Sequence, residues 1–337
     1  MLRVVEQIPE GFLSARARDL FQLLGGPTLI HLQGERSGPM FVSILQHGNE
    51  DSGLLAVQRL LQAYDGKTLP RDLSLFVCNV EAAEVGLRRL ENQPDFNRVW
   101  PGHTHSHCPE TRMMQAVYDE MENRQVFMSI DIHNNTGHNP HYACVNKIDP
   151  QFLFLASLFT ETCVYFIEPT GVQSLALAQL CPAATLECGK AGDEVGIQRA
   201  HDFMQACLGL VTWPHHSRFS LKVFHTVAIV KMPEDVSFGF DNHQVQVDFL
   251  PDLDQLNFRD LKKHTFLANL KTDEALPLSV HEVDGSIATR KYFVRQEKAL
   301  KTAKPMVLAM LTLDSTVIRQ DCLCYVMEHY PIPDYWL

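Results

Sequence analysis

The sequence predicts an α/β protein, with a three-layer α/β/α domain followed by a smaller, β-rich domain. From about residue 40 to 210, short apolar segments alternate with segments of helical periodicity, which is typical of a mostly parallel sheet covered by helices. After about residue 216 the helical periodicity weakens, and apolar residues alternate along short segments that end in turns. We therefore predict a catalytic domain over residues 1–215 and a β-rich domain over residues 216–337.

The elements of the first domain follow from their apolar patterns. Short runs of apolar and β-branched residues predict buried strands, and apolar residues spaced three or four apart predict helices. The predicted strands are 41–45 (FVSIL), 73–77 (LSLFV), 126–132 (VFMSIDI), 165–167 and 183–186. The predicted helices are 54–64, 113–121 and 195–210. In the second domain, apolar residues alternate over 219–223 and 245–249, and a short apolar run covers 306–313, which indicates β-structure.

Composition narrows the class of protein. The chain has 337 residues, of which 45% are hydrophobic and 20% charged, and no stretch is apolar enough to span a bilayer. The net charge of -11 argues against nucleic-acid or anionic-membrane partners, because phosphate binding needs a basic surface. Nine cysteines without a CxxC pair, and an N-terminus without a signal-peptide core, predict reduced thiols in the cytoplasm. Assembly into a homo-oligomer stays open.

Two histidines and a carboxylate near predicted strand ends form a candidate metal site. His47 and Glu50 lie in QHGNE after the first predicted strand, and Gly48 between them permits a tight turn. His133 follows the third predicted strand in DIHNNTG. Because the carboxyl ends of parallel strands meet at one sheet edge, we expect these side chains to converge. Such a set leaves a fourth zinc position open for water, which predicts metal-assisted hydrolysis with one Zn²⁺ per chain.

Asp131 is expected to orient one of these ligands. It lies two residues before His133, and the two-residue period of an extended chain directs both side chains to the same face. A carboxylate beside a ligating histidine commonly fixes the orientation of the imidazole ring.

Basic and amide side chains between the metal motifs predict recognition of a carboxylate. Asn97 and Arg98 are adjacent in PDFNRVWPG, and a guanidinium with a neighbouring amide can hold a carboxylate by several hydrogen bonds. Arg88, in NVEAAEVGLRRL, is the candidate for stabilising the oxyanion that develops on an attacked carbonyl. Asn134, next to the third metal ligand, is also expected to bind substrate. These residues together predict a small, carboxylate-bearing substrate.

Glu187 is the candidate general base. It follows the predicted strand 183–186 in ATLECGKAGDE. Zinc hydrolases need a carboxylate that takes a proton from the attacking water and delivers it to the leaving nitrogen. Placed at a strand end like the metal ligands, Glu187 can serve this purpose.

These motifs together resemble one known family. HGNE, DFNRVWPG, DIHNNTG and TLECG occur in the order and approximate spacing of the aspartoacylase and succinylglutamate desuccinylase family, within the zinc carboxypeptidase superfamily. The resemblance runs from about residue 40 to 200. It implies a zinc-carboxypeptidase-like catalytic domain that deacylates an N-acyl amino acid, and a β-rich C-terminal domain that partly covers the cleft.

The resemblance also implies a role for each motif residue. The family's zinc ligands match His47, Glu50 and His133, and its oxyanion arginine matches Arg88. Its carboxylate clamp matches Asn97 and Arg98, and its catalytic glutamate matches Glu187.

Departures from the family pattern leave the acyl group and the amino acid open. The segment between Arg88 and Asn97 is one residue longer than in aspartoacylase-like sequences, and Arg89 stands where an aromatic residue often follows. For a substrate-contacting tyrosine or a second acyl-binding arginine, the candidates are Tyr142, Tyr165 and Arg199.

Two other functions use the same residues. A metallocarboxypeptidase would cleave short peptides, since an amide next to a free carboxylate is common to both kinds of substrate. A non-catalytic zinc-binding or ligand-binding module is the second alternative, although it does not require the base and the carboxylate clamp that accompany the metal ligands.

Further histidines resemble metal ligands but are interpreted differently. The tract from His103 to His107 follows a Pro-Gly turn and is interpreted as a polar loop. His138 and His141, in GHNPHY, are interpreted as residues bonded within their own loop.

Overall fold

The structure, a computed structural model, describes residues 2–104, 107–214, 220–271 and 276–333. The predicted domain boundary between residues 215 and 216 lies outside these ranges, as does His105 of the histidine tract. Within the ranges described, no helix combines the length and the apolar character needed to cross a membrane.

The chain divides into two compact units. The first comprises the described residues of Met1–Asn134, His141–Val223 and Ile332–Leu337. The second comprises those of Asn135–Pro140 and Phe224–Pro331. A short segment directly after the predicted metal-ligand segment therefore belongs to the second unit, and the chain enters this unit again within a strand.

A mixed sheet forms the centre of the first unit. Its described strands are β1 (Arg3–Val5), β2 (Thr28–Leu32), β3 (Met40–Ile44), β4 (Leu73–Val77), β5 (Met128–His133), β6 (Tyr142–Val145), β7 (Thr162–Tyr165) and β8 (Ala183–Glu187). They lie in the order β1-β2-β4-β3-β5-β8-β6-β7. The central strands β4, β3, β5 and β8 are parallel and buried along their whole length, as expected for strands covered on both faces.

Helices cover both faces of this sheet. They are α1 (Leu20–Leu24), α2 (Ser52–Ala63), α3 (Val80–Glu84), α4 (Pro109–Asn123), α5 (Pro150–Ser157), α6 (Gln173–Leu177) and α7 (Glu194–Gly209). On one face, α2 packs against α7, and Gly53 of α2 lies against the Ile132 side chain. On the other face, Gln173 of α6 donates from Nε2 to Oγ of Ser129 over 2.6 Å. Adjacent strand residues point to opposite faces, so the predicted three-layer α/β/α architecture is confirmed.

Most predicted elements of the first unit lie within a few residues of their expected positions. The exception is the strand predicted at 165–167, because β7 ends at Tyr165. Cys163 and Val164 of β7 are buried, whereas Ile167 is 39% exposed, so the apolar residues that pack in the sheet lie earlier. The strands β1, β2 and β6 and the helices α1, α3, α5 and α6 were not predicted.

The second unit is rich in β-strands, as predicted. Its strands are β9 (Lys222–Lys231, which begins in the first unit), β10 (Phe238–Phe240), β11 (Val247–Phe249), β12 (Asp260–Leu261), β13 (Phe266–Leu270), β14 (Ser279–Glu282), β15 (Phe293–Gln296), β16 (Ala299–Thr302), β17 (Met306–Ala309) and β18 (Cys324–His329). The short helices are α8 (Thr289–Tyr292) and α9 (Ser315–Gln320). One group of strands has the order β14-β9-β18-β17-β12, and the other β10-β11-β13-β16-β15. A buried apolar cluster that includes Val230, Phe249, Tyr292 and Leu308 forms its core.

Candidate metal centre and active site

The loop after β3 carries the first two predicted metal ligands. Gly48 lies so close to α3 that a Cβ atom would come within 2.2 Å of the Ala83 nitrogen, so only glycine fits there without a shift of the backbone. The Gly48 nitrogen also donates to the carbonyl oxygen of Arg88 over 3.1 Å. These contacts fix His47 and Glu50 against the segment that carries the predicted oxyanion arginine.

His47, Glu50 and His133 come together as a candidate metal-binding set. All three are buried, and His133 closes β5, the neighbour of β3. Nδ1 of His47 lies 2.8 Å from Oε1 of Glu50, and Nδ1 of His133 lies 2.8 Å from Oε2. One ligand atom from each residue lies within 4.8 Å of the others, which allows the three to hold one ion.

Each histidine contacts Glu50 through Nδ1 and a second carboxylate through Nε2, on the opposite side of its ring. Oδ1 of Asp95 lies 3.1 Å from Nε2 of His47, and Oδ2 of Asp131 lies 2.8 Å from Nε2 of His133. Ser43 of β3 donates to Oδ1 of Asp131 over 2.6 Å. Asp131 thus occupies the place expected for an orienting residue, and Asp95 occupies the same place for the other histidine.

The donor set fits a zinc ion. When each imidazole donates its Nε2–H group to the carboxylate behind it, its Nδ1 lone pair faces an oxygen of Glu50. A lone pair and a carboxylate repel each other unless a cation or a proton lies between them. Two imidazole nitrogens and one carboxylate are accepted zinc ligands that leave a fourth position open. His47, Glu50 and His133 are therefore the residues that would hold zinc.

The charges around the site change the pKa values of its members. Burial disfavours protonated His133, but the negative charges of Asp131 and Glu50 outweigh burial and hold its pKa well above the usual value. Burial also lowers the pKa of His47, and Glu50 and Asp95 outweigh it, so this pKa is raised. The Glu50 pKa would rise on burial, yet the two histidines hold it far below the usual range. The site thus favours positive charge at its centre.

Arg88 joins this network through Asp95. Its Nη2 donates to Oδ2 of Asp95 over 3.0 Å, and its Nη1 lies 3.6 Å from Oε1 of Glu50. Burial would raise the pKa of Asp95, but His47 and Arg88 outweigh burial and hold it well below the usual range. Asp95 is therefore an ionised link between the predicted metal ligand His47 and the predicted oxyanion arginine.

Sequence reasoning assigned no role to Asp95. Its contact with His47 joins residues 48 positions apart, which local spacing does not encode. The available signal was its place in PDFNRVWPG, where its side chain accepts from the Asn97 nitrogen over 2.8 Å and caps a helical turn.

Asn97 and Arg98 lie on that turn, beside the metal set. Nδ2 of Asn97 lies 3.1 Å from Nε2 of His133 and donates to Oδ2 of Asp131 over 3.3 Å. Oδ1 of Asn97 accepts from the Gln173 nitrogen over 2.9 Å. Arg98 is half-buried, and its Nη1 donates to the Asn97 carbonyl over 2.8 Å. The Asn97 amide thus faces the metal ligands, and carboxylate binding by this pair stays a prediction.

Glu187 ends β8 next to the third metal ligand. Glu187 and His133 are register partners on parallel strands, and the Cys188 nitrogen donates to the His133 carbonyl over 2.9 Å. Tyr142 of β6 is the register partner of Glu187 on its other side and is buried. The predicted base and metal ligands therefore lie at the ends of three neighbouring strands or in the loop that follows.

Asn134, predicted to bind substrate, is almost fully buried. Its Nδ2 donates to Oγ of Ser52 and to the Gly189 carbonyl, each over 2.9 Å. Its backbone nitrogen donates to Oε2 of Glu50 over 3.1 Å. The side chain therefore binds two loops of the protein.

The other candidates are not members of the triad, and the interpretation of His138 and His141 as residues bonded within their own loop was wrong, because their hydrogen bonds join residues far apart in sequence. Nε2 of His141 lies 2.9 Å from Oδ2 of Asp193, whose other oxygen caps α7. The His138 nitrogen donates to Asp254 within the second unit. Among the described residues, the group suited to a metal contains neither His103 nor His107. Of the remaining candidates, Tyr165 is half-buried at the end of β7 and Arg199 is exposed on α7.

Comparisons with known proteins agree with the motifs. A family model described as the succinylglutamate desuccinylase/aspartoacylase catalytic domain matches residues 41–210. No curated protein sequence matches the chain.

Several solved structures share the fold. Succinylglutamate desuccinylase from Vibrio cholerae is 14% identical with a TM-score of 0.60, over 89% of this chain and 84% of that chain. Murine aminoacylase 3 is 15% identical with a TM-score of 0.59, over 88% of this chain and 96% of that chain. The ectoine utilization protein EutE (DoeB) from Ruegeria pomeroyi is 12% identical with a TM-score of 0.55, over 89% and 88%.

Proposed function

Because this chain belongs to the succinylglutamate desuccinylase/aspartoacylase family, we propose that it is a zinc-dependent deacylase that hydrolyses the amide of a small N-acyl amino acid. One observation carries the proposal: the triad His47, Glu50 and His133 lies next to Glu187, at the ends of adjacent strands. A metal set alone would suit a binding module. A carboxylate placed beside it supports proton transfer, and hence hydrolysis.

Each residue has a distinct part in the proposed reaction. Zinc held by the triad would supply Lewis acidity and lower the pKa of a water molecule to about 7. Glu187 takes the proton of the attacking water and passes it to the leaving nitrogen. Arg88, held by Asp95, donates hydrogen bonds to the carbonyl oxygen as negative charge develops there. The products are a carboxylic acid and an amine.

Arg98 is the proposed anchor for the substrate carboxylate. Arg98 is half-buried, and its guanidinium donates to the backbone carbonyl of Asn97, whose side-chain amide contacts His133. A carboxylate held there would lie close to the metal set, which favours substrates whose free carboxylate is near the scissile amide.

A substrate panel tests the proposal. We expect the zinc-loaded protein to release amines from N-acetyl and N-succinyl amino acids, detected with an amine-reactive fluorophore, and the corresponding N-acyl amides without a free carboxylate to react far more slowly. Cleavage confined to short peptides would favour the metallocarboxypeptidase alternative. Zinc and ligand binding with no turnover of any panel member would overturn the deacylase proposal in favour of a binding module.

A further inference from the structure

Asn134 lies at the centre of three adjacent strand ends in the first unit. It directly follows β5, which lies between β3 and β8 in the sheet. The loop after β3 carries Glu50 and leads to Ser52, the first residue of α2. The loop after β8 leads from Glu187 to Gly189. Asn134 is thus placed to contact the metal-ligand loop on one side and the loop of the proposed base on the other.

The Asn134 side chain is bonded to both loops. Its two N–H groups donate to Oγ of Ser52 and to the Gly189 carbonyl, each over 2.9 Å, and its Oδ1 accepts from the Ser52 nitrogen over 3.2 Å. An amide side chain has two N–H groups, so both are used within the protein. The residue is 6% exposed, which leaves a substrate carboxylate no donor on this side chain.

Gly189 is itself fixed on its far side. It has a φ of +74°, which disfavours other residues, and a Cβ atom there would lie 2.5 Å from Oδ2 of Asp193 and 2.9 Å from Nε2 of His141. His141 and Asp193 are bonded to each other, and Asp193 caps α7. The Gly189 carbonyl is therefore presented to Asn134 by a tightly packed turn.

We propose that Asn134 is a positioning residue that sets the separation between the metal ligand Glu50 and the base Glu187, and that it does not contact substrate. The backbone nitrogen of Asn134 holds Oε2 of Glu50 over 3.1 Å, while the side chain holds the loop two residues beyond Glu187. The inference rests on the proposed function in assigning Glu187 as the base. Such spacing matters because a misplacement of about 1 Å can cost about 10²-fold in rate.

Kinetics of Asn134→Ala separate positioning from substrate contact. We expect kcat to fall on the order of 10²-fold, KM to stay within about twofold, and zinc to remain at one per chain. The pH dependence of kcat should also shift, because the base would no longer be held at a fixed distance from the metal.

Ser52→Ala removes one acceptor and leaves the Gly189 bond, so its loss of kcat should be smaller. Asn123→Ala, an exposed asparagine of α4, serves as the control. A raised KM with unchanged kcat, or wild-type kinetics, would overturn the proposal.

A second readout needs no turnover. Co²⁺ in place of zinc gives visible absorption bands that depend on ligand geometry, and we expect these bands to change in Asn134→Ala without substrate present. Bands identical to those of the wild type would count against positioning of Glu50.

If Asn134→Ala does not fold, Asn134→Asp keeps the size and the acceptor and loses the donors. Should the wild type hydrolyse no member of the panel, the proposed function fails, and the cobalt spectrum still decides whether Asn134 orders the ligands.

Discussion

At the residue scale, Glu187 lies beside His133 but outside the metal triad, so its proton transfer can be tested apart from metal binding. Glu187→Gln keeps the shape of the side chain and removes its basicity. We expect kcat to fall by about 10²- to 10⁴-fold, while zinc content, measured by elemental analysis, stays at one per chain. Glu194→Gln, at an exposed glutamate on α7, should leave kcat unchanged. A fully active, zinc-loaded Glu187→Gln protein would exclude Glu187 as the base.

Asp95 offers a second residue-scale test, because it contacts both the proposed metal ligand His47 and the proposed oxyanion residue Arg88. In Asp95→Asn the carboxylate charge behind His47 is lost at almost constant volume. Outer partners of metal ligands typically change metal affinity by about 10- to 100-fold, so we expect zinc to bind more weakly by that factor. Competition with a chromophoric chelator measures this affinity. Asp119→Asn, an exposed position on α4, is the matched control, and equal affinities of the two variants would contradict the role of Asp95.

The residues of the site were predictable to different degrees. The triad followed from strand-end motifs, and Asp131 followed from the two-residue period that places it on the same face as His133. Asp95 could not be found this way, because the capped turn in PDFNRVWPG brings it to His47 through a contact across 48 residues. The motif DIHNNTG predicts Asn134 as a site residue, but its burial and its bonds to Ser52 and Gly189 arise from the tertiary fold and not from local spacing.

At the element scale, Gly48 tests how the ligand loop packs on α3. In Gly48→Ala the added Cβ would meet backbone atoms, since the Ala83 nitrogen is 2.2 Å away and the Ala82 carbonyl carbon 2.4 Å away. Backbone must then move, and we expect the free energy of unfolding to fall by about 1–3 kcal/mol. Urea denaturation with a chelator present measures this change without a contribution from metal. Gly209→Ala, at the open end of α7, should be neutral or stabilising by up to about 1 kcal/mol, since alanine favours helix. Equal unfolding energies for both variants would refute the packing argument.

The elements best predicted from sequence are those with the strongest apolar pattern. β3, β4, β5 and β8 are buried on both faces, so each is a nearly continuous apolar run. β2 was missed because Thr28 and His31 interrupt its apolar pattern, although both are buried, and Nδ1 of His31 is bonded to Oγ of Ser74. α5 was missed because most of its residues are apolar, so no polar face marks its period.

At the scale of the whole molecule, the weakening of helical periodicity after about residue 216 is the sequence feature that indicates a second, β-rich unit. The main segment of the second unit begins at Phe224, within β9. The earlier segment of this unit, Asn135–Pro140, is not distinguished from its neighbours by composition. Gly137 shows why it belongs there, since a Cβ atom would lie 1.8 Å from the Leu311 carbonyl oxygen, a contact between distant parts of the second unit.

Zinc binding should stabilise the whole protein by an amount that depends on pH, and the two histidines of the proposed site determine the direction of this dependence. The pKa of His133 in the folded, metal-free protein is well above the unfolded value of about 6.5, and that of His47 is also raised. Protonation of these histidines thus stabilises the metal-free fold fully below about pH 6.5. This contribution is lost as pH rises through their folded pKa values. Zinc must displace these protons, so its affinity should rise with pH over the same range by about 10- to 100-fold per unit, for one or two protons released.

The expected outcome is a thermal shift that depends on pH. Ligand binding stabilises a fold by RT ln(1 + [L]/Kd), so at fixed free zinc the difference in Tm between zinc-loaded and chelator-treated protein should be larger at pH 8 than at pH 6. Scanning calorimetry measures both states, and titration calorimetry in buffers of different ionisation enthalpy counts the protons that zinc releases. His47→Ala removes one ligand and one of the titrating groups, so its zinc-dependent shift should be small at both pH values. A wild-type shift that stayed constant or shrank between pH 6 and pH 8 would show that protons and zinc do not compete at this site.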